Sequence, residues 1–96
     1  MTFEWDPDKN RSNLRKHGLS FEDVLELFTG TASRFLVWKD DRKEYGEERW
    51  LGLGEISEED VRVVVVVVFA RRARSIRIIS ARPAHRKERN RYHEGI

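Results

Sequence analysis

Residues 61–70 read VRVVVVVVFA, a run in which Arg62 is the only polar side chain. Valine is stiff at χ1 and packs well on a pleated surface, so this stretch is a strand and not a helix. A strand that is apolar on both faces has no side to give to water. It must lie in the middle of a sheet with a layer of structure on each face. At ten residues with an arginine it is too short and too charged to be a membrane-spanning helix.

The segments around it supply those layers. Asp6-Pro7 starts a helix, with Asp6 as cap and Pro7 at the first helical position, and Gly18 ends it after His17. Lys9, Asn13, Lys16 and His17 fall on one side of that helix and make a basic, polar face. A second helix is expected from Ser20 to Gly30. Ser20 and Asp23 resemble a capping box, Leu19 can staple onto Val24, and Phe21, Val24, Leu25 and Phe28 follow helical spacing. Its acidic side chains, Glu22, Asp23 and Glu26, exclude it as a DNA recognition helix.

Strands then follow at 34–38, 47–55, 61–69 and 75–81, separated by a charged loop (39–46), an acidic turn (56–60) and a basic turn (70–75). Within 47–55, Arg49, Leu51 and Leu53 share one face, opposite Trp50 and two glycines. Short connections favour an antiparallel meander. The expectation is therefore a single α+β domain over residues 1–96: two N-terminal helices, a four-stranded antiparallel sheet and a basic C-terminal helix. No repeat or linker interrupts it.

Cysteine is absent, which removes disulfides, thiolate nucleophiles and Cys-based metal sites. The N-terminal stretch MTFEWDPDKN has no apolar h-region, so a cytoplasmic protein with no membrane association is expected. The net charge of +2 hides an imbalance: residues 1–70 hold 10 basic and 15 acidic side chains, residues 71–96 hold 9 basic and 2 acidic. A basic segment of that density is a footprint for phosphate or for an acidic protein, or is simply a solvated face.

Several chemistries find no support. No glycine-rich phosphate loop follows a strand, and His17, His85 and His93 lack metal-ligand spacing. The acidic pairs (Asp40-Asp41, Glu47-Glu48, Glu58-Glu59-Asp60) sit in expected loops and turns, so no metal and no cofactor is expected. What remains is Arg, Lys and His, a set suited to metal-independent RNA cleavage. There the ribose 2′-OH is the nucleophile, and the protein holds the phosphate, stabilises charge and moves protons.

Arg77 interrupts the apolar strand Ile76-Ile78-Ile79, so it is either paired with a carboxylate or opens onto a site. Arg82 sits where that strand ends, a common place for site residues. Lys16 and His17 have a competing explanation, since cations favour a helix C-terminus. Tyr92 shares a helix face with His85, Glu88 and Arg89, and either anchors the helix or stacks on a base.

Taken together, FEWDPDKNRSNLRKHGLSFEDV, YGEERW and IRIISAR…RKERNRYHEG resemble the BrnT family, the toxin half of a bacterial type II toxin–antitoxin pair. The KHG-x-SFE and RIISAR elements occur together at the family's spacing, and the similar stretches cover most of the chain. The resemblance implies a ribonuclease toxin of RelE-like fold. It also implies a BrnA-type antitoxin partner with a ribbon-helix-helix DNA-binding region, and a complex of the two that binds its own operator DNA. By position, Lys16 and His17 fall in the KHG element, Glu48 and Arg49 in GEER, Arg77 and Arg82 in RIISAR, and Glu88 and Tyr92 in the terminal helix. Three features depart from the family pattern: Phe69-Ala70 in place of a His-Thr pair, Pro83 in place of a basic residue, and FTGT in place of an acidic F-x-D-P.

The expected catalytic set is Lys16, His17, Arg49, Arg77 and Arg82, with Lys9, Arg86, Arg89 and Tyr92 contacting RNA. A non-catalytic nucleic-acid-binding module, or a surface for docking an acidic partner, is the alternative.

Overall fold

A computed structural model of the chain describes residues 1–30, 34–42, 44 and 46–95. Ser33, where the strand pattern begins, Thr31 of FTGT and Tyr45 of YGEERW lie outside the described residues. In chain order the elements are β1 (Thr2–Glu4), α1 (Pro7–His17), a 3-10 helix (Glu22–Leu27), β2 (Phe35–Lys39), β3 (Arg49–Glu58), β4 (Val61–Arg72), β5 (Ser75–Pro83) and α2 (Arg86–Glu94).

The valine strand is central. Strand order is β1-β5-β4-β3-β2, so β4 is hydrogen-bonded on both edges. Strands β2 to β5 form the expected antiparallel meander. The expected four-stranded antiparallel sheet is corrected to a five-stranded mixed one, because β1 pairs in parallel with β5, from Thr2↔Ser75 to Glu4↔Arg77. Three residues are too few to show an alternating pattern, and this pairing depends on a contact more than 70 positions away.

Side chains alternate across β4. Val65, Val67 and Phe69 enter a cluster with Leu19, Phe21, Val24, Leu27, Ile56, Ile76, Ile78 and Ala81 on one face of the sheet. Val64 and Val66 join Leu53, Ala84 and Tyr92 on the other face. Fully burying a valine contributes roughly 1.5–3 kcal/mol, which makes this strand the main apolar contribution of the domain.

The second expected helix is a 3-10 helix instead. Its buried residues, Val24 and Leu27, and the buried Phe21 that precedes it recur every three positions, which is the 3-10 period and not 3.6. The capping pair forms as expected: the Ser20 N–H donates to Asp23 Oδ2 (2.9 Å) and the Asp23 N–H to Ser20 Oγ (3.3 Å). The acidic turn shrinks to Glu59-Asp60, with φ of 47° and 67°, the left-handed pair of a tight type I′ hairpin. Two glycines of β3 make room for this layer. A Cβ on Gly52 would lie 2.4 Å from the Phe35 ring, and one on Gly54 2.5 Å from Leu27 Cδ2.

Helix α1 begins and ends as its sequence requires, with Asp6 accepting from the Asp8 N–H and Gly18 left-handed at φ 72°. Its only buried residue is Asn13, 7% exposed. Beyond residue 77, β5 has no β1 partner, and Asn13 substitutes for one. Its amide donates to the Ala81 carbonyl (2.7 Å) and the Leu19 carbonyl (3.0 Å) and accepts from the Ala81 N–H (3.2 Å). Asn13 therefore satisfies an open sheet edge where water is excluded, and it is not part of an exposed basic face.

Asn10 fixes the next loop by accepting from the Phe21 N–H (2.7 Å) and donating to Glu22 (2.9 Å), which holds the Glu22 carboxyl below its ordinary range. Removing the Asn13 amide strands three buried backbone groups. Asn13→Ala is expected to lower unfolding free energy by about 2–3 kcal/mol in urea titrations, while Lys16→Ala one turn on stays within about 0.5 kcal/mol of wild type.

Candidate active site

Arg49 on β3 and Arg77 on β5 both pair with Ala70 of β4. The two guanidinium side chains therefore rise from the same sheet face on either side of the smallest side chain in the row. Two strand spacings put their Cα atoms about 10 Å apart. Further along that face come Leu51, Val68 and Ser80, then Leu53, Val66 and Arg82.

Arg77 and Arg82 are five residues apart, and in a regular strand they would point to opposite faces. They do not, because β5 carries one extra residue. Phe69 pairs with Ile78 and Val68 with Ser80, leaving Ile79 bulged between them. The bulge shifts the alternation by one. Ile76, Ile78 and Ala81 all turn to the first core, and Arg77 and Arg82 both turn to the face carrying α2. Bulges that re-aim side chains are frequent beside functional sites.

Helix α2 covers only part of this face. It is held by one aromatic anchor: Tyr92, 3% exposed, packs in the second cluster and donates its hydroxyl to the Arg34 carbonyl at 3.0 Å. Arg34 returns a hydrogen bond to the Tyr92 carbonyl and sets its guanidinium 4.6 Å from the ring centre. A charged clamp holds the other end of the helix. Arg82 makes a two-pronged pair with Glu88, both bonds 2.9 Å, and Glu88 Oε1 also accepts the His85 N–H at 2.7 Å, capping the helix. The hydrogen bond from Arg82, helped by that backbone N–H, pulls the Glu88 carboxyl down to about 2.

Between α2 and the sheet runs a groove of about 230 Å³. Its floor is Leu51, Leu53 and Val66, and Trp38 forms a wall. Arg82, Arg91, Glu88 and Arg42 stand around it, with the Arg91 guanidinium 4.5 Å from the Trp38 ring centre.

The expected site residues separate into two groups. The structure brings Arg49, Arg77 and Arg82 to one face. Arg77 is half-buried and makes no hydrogen bond or ion pair with any described residue, so the carboxylate partner considered from its sequence position is not there. Arg49 lies 3.7 Å from Glu47 Oε1.

Lys9, Lys16 and His17 are exposed on α1, which runs along the β5 edge. No hydrogen bond, ion pair or ring contact joins them to the three arginines. On α2, Arg86 is exposed, Arg89 donates to the Ala84 carbonyl (2.8 Å), and Tyr92 is a buried anchor with its ring turned away from solvent. Asp40, in the acidic loop, is buried and held by Arg42 at 2.7 and 2.8 Å. Among the described residues no three His, Asp or Glu side chains converge as a metal site would require.

Sequence reasoning did not find the bulge, although the burial spacing 76, 78, 81 is its trace. It also did not find Trp38, Arg91 and Glu88 as walls of a groove, because they come from β2 and α2, far apart in sequence. A family model described as "Ribonuclease toxin, BrnT, of type II toxin-antitoxin system" matches residues 5–88. Among curated proteins, none matches the chain.

The low acidity of Glu88 links α2 docking to pH. Its folded value near 2 lies below the ordinary 4.5, so the clamp stabilises the fold fully above about pH 4.5 and is lost as pH falls toward 2. With both partners about a third exposed, solvent screening leaves roughly 1–2 kcal/mol. Thermal melts from pH 7 to pH 2.5 should show Glu88→Gln starting less stable than wild type and converging with it at the acid end.

Proposed function

The chain belongs to the BrnT family of ribonuclease toxins of type II toxin–antitoxin systems, and on that premise we propose that it cleaves RNA on the α2 side of its sheet, without a metal ion. The observation that carries this reading is the half-buried Arg77, with no partner among the described residues, across Ala70 from Arg49. A fold that leaves a guanidinium without a counter-charge forgoes stability there, and a bound phosphodiester restores the balance.

In this reading the ribose 2′-OH attacks the adjacent phosphorus, and the P–O5′ bond breaks. The products are a 2′,3′-cyclic phosphate and a 5′-hydroxyl. The 2′-OH proton passes to a base, and a proton is returned to the leaving oxygen. Arg77 and Arg49 hold the phosphate and stabilise the added negative charge, the part of such reactions in which preorganised electrostatics counts most. Arg82 contributes positive potential while orienting α2 through Glu88.

Glu88 is not the base, because a carboxylate with a value near 2 is a poor proton acceptor at neutral pH. Lys16 and His17, at the end of α1 one turn past Asn13, are proposed for proton transfer. Lys9, Arg86 and Arg89 are proposed to track the RNA backbone, with Tyr92 contributing as the anchor of α2.

Family membership implies a protein antitoxin as partner. We propose that this is a BrnA-type ribbon-helix-helix protein that covers the basic face, that the complex binds operator DNA, and that the free toxin inhibits translation and growth. No helix among the described residues is long and apolar enough to cross a membrane.

Because Arg77 pairs with none of the described residues, its loss should affect catalysis without affecting stability. Arg77→Ala is expected to melt within about 2 °C of wild type and to cleave RNA about 100- to 1,000-fold more slowly, with wild-type cleavage unchanged by chelator. Growth on expression of the wild type alone, with intact cellular RNA and folded protein, would refute the toxin reading. Salt-sensitive RNA binding without cleavage products would favour the binding-module alternative.

A further inference from the structure

The groove beside α2 has features that phosphate binding does not use. It lies on the same sheet face as the Arg49–Ala70–Arg77 row, two to four residues further along β4, or about 7–13 Å. A nucleotide whose phosphate rests on that row therefore reaches it with its own base or its neighbour's. At about 230 Å³ the groove is below the range of drug-sized pockets, which begins near 300 Å³, and suits one heterocycle rather than a base pair. Its floor is aliphatic and one wall is the indole of Trp38, a platform of the kind on which unpaired bases stack.

The polar groups narrow the choice of base. Among the residues lining the groove, Glu88 is the only carboxylate, and carboxylates accept hydrogen bonds without donating any. Its Oε1 already takes two hydrogen bonds, from Arg82 and from the His85 N–H, whereas Oε2 takes one. An acceptor is therefore left open on the Oε2 side. Around it stand the guanidiniums of Arg82 and Arg91, which are donors only. Of the four RNA bases, guanine alone carries two neighbouring donors, N1–H and the 2-amino group. It also carries two acceptors, O6 and N7, for which arginine is the usual partner.

We propose that this groove is a subsite for one unpaired guanine of the RNA, which takes the place of the Arg91 guanidinium on the Trp38 ring, with the open side of Glu88 Oε2 facing its N1–H and 2-amino edge and the neighbouring arginines donating to O6. Glu88 is then the residue that determines base preference, and Arg82 holds it in position. The proposal builds on the ribonuclease reading, since it places the base beside the phosphate that Arg77 and Arg49 hold. It is tested separately from cleavage.

The four nucleoside 3′-monophosphates contain no phosphodiester and cannot be cut, so their binding to the full chain can be measured by calorimetry or NMR titration whether or not the protein is an active nuclease. Guanosine 3′-monophosphate is expected to bind about 10- to 100-fold more tightly than the adenosine, cytidine and uridine compounds. Glu88→Gln keeps an acceptor for the His85 N–H, since glutamine serves in a capping box. It should reduce that preference at least fivefold. Trp38→Leu, which removes the stacking wall, should weaken all four ligands together.

Equal binding of the four monophosphates by the folded wild type would overturn the proposal, as would a full guanine preference retained in Glu88→Gln. A guanine preference in a chain that cuts no RNA would leave the subsite standing and remove the ribonuclease reading. RNA cleavage with no preference among the monophosphates would do the reverse.

Discussion

A single extra residue in β5, Ile79, determines which side chains meet on the face under α2. Strand alternation has a period of two, so Arg77 and Arg82, five positions apart, would otherwise point to opposite sides. With Ile79 bulged opposite the Val68–Phe69 step of β4, Ile76, Ile78 and Ala81 fill one core while both arginines emerge on the other side. This works because β4 is central and paired on both edges. Its buried valines keep the register from slipping, so the bulge re-aims the arginines without loosening the strand.

The layers around that strand are held by a few polar contacts. Asn13 completes the open edge of β5 at Ala81, next to Arg82 in the chain. Glu88 ties α2 to Arg82 and caps the helix with the same carboxylate. Tyr92 is the only buried side chain of α2. A helix so poor in apolar residues is poorly packed by itself, and one aromatic and one charge clamp make up the difference. Against this economy Arg77 stands out. Its guanidinium is half-buried without a described partner, and the phosphate site proposed above rests on it.

Much of this fold was legible in the sequence. The run VRVVVVVVFA required a central strand covered on both faces, and Asp6-Pro7 with Gly18 gave the limits of α1. What was not legible depended on distant contacts. β1 is three residues paired to a strand more than 70 positions away. The 3-10 helix has buried residues at a spacing of three, which a pattern that includes Leu25 and Phe28 conceals. Asn13 looked like part of a polar surface because its partner, the backbone of Ala81, is invisible in any local window.

The candidate site was legible by residue type and less so by geometry. Arg77 was conspicuous as a charge within an apolar strand, and Arg49, Arg77 and Arg82 were singled out together. Their shared face depends on register and on the bulge. Lys16 and His17 remain on α1 at the β5 edge, without contact to that group, so their share in the chemistry depends on where RNA lies. The structure of the chain bound to a short RNA with a 2′-deoxy substitution at the scissile ribose addresses the central claim most directly. The account predicts a phosphate over Ala70, within hydrogen-bonding distance of Arg77 and Arg49. A strand that runs along α1 past Lys9 and Lys16, leaving Arg77 without an anion, would contradict it.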